Sequence, residues 1–238
     1  MLGLPTIMEQ QTQNTMLMCE DSIDIPEYRK ELLSKIAASP DDLESMAELV
    51  CADCLICEEN VKDFGPAWKN SVFVNEILEY APVLLKEKGN EYGNIVFNAC
   101  DRVNDVLFNH PRLKVKLLKL ELKALDTSKD IDGDKQEIRK GIEKKIEFLE
   151  INIKRADMGN LEQCENIGML KRDPVEWTAE YEKVIDEAEE KANAELADVP
   201  RGMGFCHAYW HSLANILFED YGIVWRSPAM MNPCVMFD

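Results

Sequence analysis

The chain has 238 residues, 46% of them hydrophobic and 30% charged, which suits a sizeable core in one large or two small domains. Its net charge of −18 excludes a general nucleic-acid binder, which needs a basic footprint, and argues against docking on anionic lipid. The same charge favours solubility and suits a basic partner.

No apolar run reaches the roughly 20 residues of a membrane span. The opening MLGLPTIMEQQTQNTMLM has neither a basic n-region nor a continuous apolar h-region, so it does not read as a signal peptide. A cytoplasmic setting is expected, with the eight cysteines as reduced thiols. Residues 1–22 are rich in Gln, Thr and Met without periodicity and read as a disordered arm.

From residue 23 the pattern is helical. Pro26 opens a first helix with Tyr28, Leu32, Leu33 and Ile36 on one face. Ser39-Pro40-Asp41 breaks it, and Asp41 or Asp42 caps a second helix carrying Leu43, Met46, Val50, Cys54 and Cys57 at steps of three and four. Gly65-Pro66 ends that element. Residues 67–88 read as helix, with a kink or break expected at Pro82, which lacks an amide donor. Gly89 suits a helix end, and a further helix at 91–109 carries Tyr92, Val96, Ala99 and Val103.

After His110-Pro111 two strongly periodic segments, 112–126 and 134–156, predict an antiparallel helical hairpin. It holds 13 of the 27 Lys and Arg against nine acids, so it is basic in an acidic chain. Residues 157–172 are punctuated by Gly and read mostly as loop. Asp173-Pro174 starts a helix running to residue 197, with a narrow stripe (Trp177, Tyr181, Ile185, Ala188) and an intensely acidic opposite face. On a wheel of about 100° per residue, segment 204–221 is apolar around most of its circumference, His207 included. Such a helix is expected to be enclosed by others, as a post around which the bundle packs. The tail GIVWRSPAMMNPCVMFD is too interrupted by Pro to be regular, yet apolar enough to lie against the bundle.

Several motifs invite chemistry. Cys51, Cys54 and Cys57 have the spacing of a cluster site, but they fall on one uninterrupted helix, spread around it and along it, so they read as packing groups. His207 and His211 at i, i+4 make a workable metal pair, but no third ligand follows from the spacing. The stretch from Ser128 to Arg139 resembles a calcium loop, but lacks the first Asp and the bidentate Glu. Arg201-Gly202-Met203-Gly204 precedes a helix N-terminus that favours anions. Arg112, Lys116, Lys119 and Lys123 form a basic stripe that suits solvent or the acidic 176–198 helix.

The fold expected is all-α: a multi-helix bundle of about eight helices, with a central antiparallel hairpin, a buried C-terminal helix and an irregular tail packed on it. Residues 23–238 form one helical domain or two subdomains, 23–110 and 111–238. No catalytic residue, metal or cofactor is called for. The preferred function is protein–protein interaction, with another protein (a basic one suits the charge) or a second copy, and without membrane or nucleic acid. The alternative is a small-molecule or metal site, or an enzyme, on helix 204–221. The candidate ligand-binding residues are His207, His211, Asn215, Arg201, Trp225 and Arg226.

Overall fold

The computed structural model describes residues 24–62, 65–129, 131, 133–166 and 168–237. The arm 1–22 lies outside them. Among the described residues there are eight α-helices and no strand. None of these helices is long and apolar enough to cross a membrane.

Helix α1 (Ile25–Ala38) starts where the Asp24 carboxylate accepts from the Glu27 amide, and it buries Leu32 and Ile36. In α2 (Leu43–Glu59) the cap is Asp42, accepting from the Ser45 amide at 3.0 Å. A short 3₁₀ turn, Ala67–Lys69, leads into α3 (Asn70–Val106). The hairpin follows as α4 (Pro111–Thr127) and α5 (Lys135–Asp157). Two further 3₁₀ turns, Leu161–Gln163 and Pro174–Trp177, precede α6 (Ala179–Glu195). Helix α7 (Phe205–Tyr221) lies between two left-handed glycines, Gly204 at φ 81° and Gly222 at φ 68°. The tail carries one further turn of helix, α8 (Pro228–Met231).

Sequence neighbours pack in turn: α1 on α2, α2 and α4 on either side of α3, α5 on α4, and α7 on α6. Two corrections to the sequence reading follow. The break in α3 falls at Lys88 (φ −144°, ψ 51°) and not at Pro82, so the two helices expected here meet at a kink beside Gly89, where the sequence reading ended the first. Pro82 is exposed, on the outer side of the helix, where a missing donor disturbs no neighbour. The bend lies beside Gly89 and Gly93, where α3 crosses the end of α4. A Cβ at Gly93 would stand 2.8 Å from Thr127 Oγ1 and 3.0 Å from the Ser128 amide nitrogen, so glycine permits the close approach.

The second correction concerns the post. Helix α7 buries Phe205, Leu213, Ile216 and Leu217, but it packs extensively on α6 alone, whereas α3 takes part in the two largest helix contacts. His207 is exposed, as is Phe218, and Tyr209, Trp210 and Tyr221 are only half-buried. The wheel counted these rings as core, whereas Tyr209 and Trp210 line a cleft and Trp210 carries part of the tail. Phe237 stands edge-on to Trp210 at 5.2 Å between ring centroids.

The apolar core falls into two clusters. The larger draws on α1 to α5, on both sides of position 110, and on Trp177. The smaller joins Tyr181, Ile185, Ala188 and Ala192 of α6 to Leu213, Ile216 and Leu217 of α7 and to Trp225 of the tail. Polar contacts join the two. Glu182 of α6 accepts from the Arg112 and Leu113 amides at 3.1 and 3.2 Å. It thereby caps the N-terminus of α4, which has no side-chain cap of its own. Asp186, one turn on, meets His110 Nε2 at 2.7 Å and accepts from the Ser71 hydroxyl.

Candidate functional site

The arrangement with the most chemistry is a cleft of about 560 Å³ between α6, α7, the segment 169–176 and the tail. Its local structure starts at Asp173. One carboxylate oxygen caps the 3₁₀ turn by accepting from the Val175 amide at 3.1 Å. The other accepts from the Arg226 amide and Nε at 2.7 and 2.9 Å, which fixes the start of the tail. Asn232 fastens it a second time, exchanging hydrogen bonds with the backbone of Lys171.

Held in this way, the tail delivers Trp225 into the cleft wall. Its Nε1 donates to Glu176 Oε1 at 2.9 Å, and Arg172 Nε donates to Glu176 Oε2 at 2.6 Å. Arg172 also reaches Asn109 Oδ1 at 3.1 Å, and Asn109 Nδ2 donates to Glu189 Oε1 at 2.8 Å. Glu189 is hydrogen-bonded in turn to Tyr209 of α7. The six side chains make one continuous chain around the cleft, drawn from five separate stretches of sequence. Buried networks of this kind hold their members in one geometry when every link is made.

Burial, and next the Asp186 charge, push the Glu189 carboxyl up to about 7. The Tyr209 hydroxyl is raised by burial and by Glu189. Behind them, burial works against a charged His110, but the Asp186 hydrogen bond and charge, with Glu182 and Glu189, hold it above its ordinary value. The cleft therefore combines aromatic faces with a carboxyl that takes up or releases a proton near neutrality.

Of the residues singled out from sequence, Trp225 lines this cleft and Arg226 fastens its edge. The others lie elsewhere. His207 faces Trp210 edge-on at 5.4 Å, with Nε2 3.2 Å from the Phe237 carbonyl oxygen. His211 and Asn215 are exposed and bonded to each other at 3.3 Å. Arg201 lies over the Phe205 ring and reaches Asn193 at 3.1 Å. Asn109, Glu189 and Tyr209 carry no spacing signal, since Asn109 and Glu189 are 80 positions apart, whereas Arg172 and Glu176 stand at i, i+4.

The remaining motifs resolve as local structure. Cys54 and Cys57 are buried in the α2–α3 contact, and burial pushes the Cys54 thiol up to about 12. Among the described residues no three His, Cys, Asp or Glu converge to hold a metal ion. Ser128 donates to the Ala124 carbonyl at 2.7 Å and Arg139 pairs with Asp126, so the calcium-like stretch is spent on helix ends. Its Asp130 and Asp132 lie outside the described residues. In the basic stripe, Arg112 pairs with Glu182 of the acidic helix, whereas Lys119 pairs with Glu150 of α5.

Fold and cleft together define the chain as an all-α bundle with an aromatic and acidic cleft at its C-terminal end. Compared with protein-family models, with curated proteins and with solved structures, the chain gives no match.

Proposed function

We propose that this chain acts by binding another protein in a cytoplasmic setting, and that its cleft receives a partner segment carrying a cationic side chain beside an apolar one. The observation that carries this reading is the composition of the cleft wall. The rings of Tyr209, Trp210 and Trp225 stand among the carboxylates of Glu176 and Glu189. Aromatic faces and carboxylates together suit a Lys or Arg side chain. Met169 and Leu170 are exposed along the rim, with Met230 beyond Pro228, and the unbranched methionines adapt to varied partners. The net charge of −18 adds long-range attraction for a basic partner.

A second reading, a small molecule in the same cleft, draws on two observations. The volume of about 560 Å³ falls within the usual range for ligand pockets, and Glu189 is poised for proton transfer near neutrality.

Two of the four tryptophans line the cleft, so intrinsic fluorescence reports its occupancy. The experiment titrates peptides in which Lys or Arg adjoins Leu or Phe, and the same peptides with Gln in place of the base. Saturable change with the basic peptides only, weakened by salt and by Glu189→Gln, supports the proposal. Equal binding of the Gln peptides, or binding untouched by Trp210→Ala, overturns it. Free arginine binding as tightly as the peptides favours the small-molecule reading instead.

A further inference from the structure

We infer that the cavity between α3, α4 and α5 is a second site, one that takes a small organic amine on the buried carboxylate of Glu121, with Asp101 at its mouth. The cavity measures about 450 Å³. One wall is a face of α3, with Asn94, Phe97, Asn98 and Asp101 at i, i+3, i+4 and i+7. The facing wall is the same pattern on α5: Ile138, Gly141, Ile142 and Lys145. Glu121 enters from α4, between them.

Glu121 makes this more than a group of surface acids. It is 2% exposed, and its Oε2 has no hydrogen-bond partner. A buried acceptor left unpaired is costly, and native proteins rarely keep one without a use. Burial, then the charges of Asp101 and Asp105, push its carboxyl up to about 7, while Lys145 pulls the other way. An ammonium group supplies what the acceptor-only carboxylate lacks: donors and an opposite charge. Phe97, Ile138 and Ile142 suit the alkyl body of such a ligand. A divalent cation suits the site poorly. It seeks six or more oxygens, and among the described residues no three His, Cys, Asp or Glu converge to hold one.

Gly141 supplies a clean control. A Cβ built there meets nothing within 4 Å, so the first atom of a larger side chain finds room at the cavity wall. Leu is also the better helix former, so Gly141→Leu should keep the fold. The test is calorimetric titration of the full chain with 1,4-diaminobutane and with n-butylamine, in amine-free phosphate buffer at pH about 8, where Glu121 is ionised. We expect one saturable site, weakened by about tenfold or more in Glu121→Gln and in Gly141→Leu. Thermal melting of Gly141→Leu at or above that of the parent chain shows that the loss is not unfolding. No binding of either amine overturns the inference, as does equal binding by both variants. Calcium or magnesium binding alone in a Glu121-dependent manner also overturns it, by giving the site to a metal.

Discussion

Single residues in this chain act through space more than through propensity, and two helical glycines show it. Gly→Ala inside a helix normally gains about 1 kcal/mol. At Gly141 nothing lies within 4 Å of the added carbon, so Gly141→Ala should gain up to about that amount. At Gly93 the same carbon meets Thr127 Oγ1 at 2.8 Å and the Ser128 backbone nitrogen at 3.0 Å. The helix must back away from α4, and overpacking of this kind costs about 1–3 kcal/mol, which outweighs the propensity gain. Chemical denaturation of the two variants should therefore give opposite signs. A stabilised Gly93→Ala would show that the α3–α4 crossing is looser than described. Nothing in the sequence separates these two glycines. Both sit in helical pattern, and only the partner helix decides what an added methyl meets.

Among the elements, α6 shows where the sequence was legible and where it was not. Its stripe of Tyr181, Ile185, Ala188 and Ala192 was readable from spacing and is the face buried against α7. Its other face is intensely acidic, and the basic stripe that begins at Arg112 was one partner open to it. In the structure Glu182, Asp186 and Glu189, at i, i+4 and i+7, turn to the segment 109–113. Periodicity tells which residues avoid water but not which charges find partners some 70 positions away. The same limit hid the cleft, whose hydrogen-bond chain is assembled only by tertiary packing. Helix α7 failed in the opposite sense, since a wheel counts a half-buried ring as core. The capping role of Glu182 yields a prediction. Glu182→Ala removes a carboxylate from two amides at the start of α4 and also from Arg112, and caps are worth about 0.5–2 kcal/mol. A loss in that range is expected from urea unfolding. In a double-mutant cycle Glu182→Ala and Arg112→Ala should be strongly non-additive, because they share one contact. Additive losses would mean that Glu182 does not act through the Arg112 side chain.

For the whole molecule, the buried titrating groups set how stability follows pH. Burial, first in each case, raises the carboxyls of Glu121 and Glu189 to about 7 and moves that of Asp53 the same way. In the unfolded chain they titrate near about 4. Between those values the folded state holds more protons than the unfolded one, so stability falls as pH rises through the window. His110 adds to the fall. Its folded value is raised, so the stability it contributes below about 6.5 is lost as pH passes through that value. Lys114 acts the other way at higher pH. Burial lowers it to about 8, so from there towards about 10 the unfolded state holds the extra proton and stability recovers in part. The melting temperature should accordingly be higher at pH about 5.5 than at about 7.5. Self-repulsion of a chain carrying −18 runs in the same direction, but the two causes respond differently to salt. At 1 M ionic strength the screening length is about 3 Å, which suppresses repulsion across the surface and leaves buried groups largely untouched. A slope that persists in high salt and flattens in the Glu121→Gln, Glu189→Gln double variant assigns the effect to the two carboxyls beneath the two cavities. A slope that vanishes in salt assigns it to net charge alone and would falsify the buried-group account.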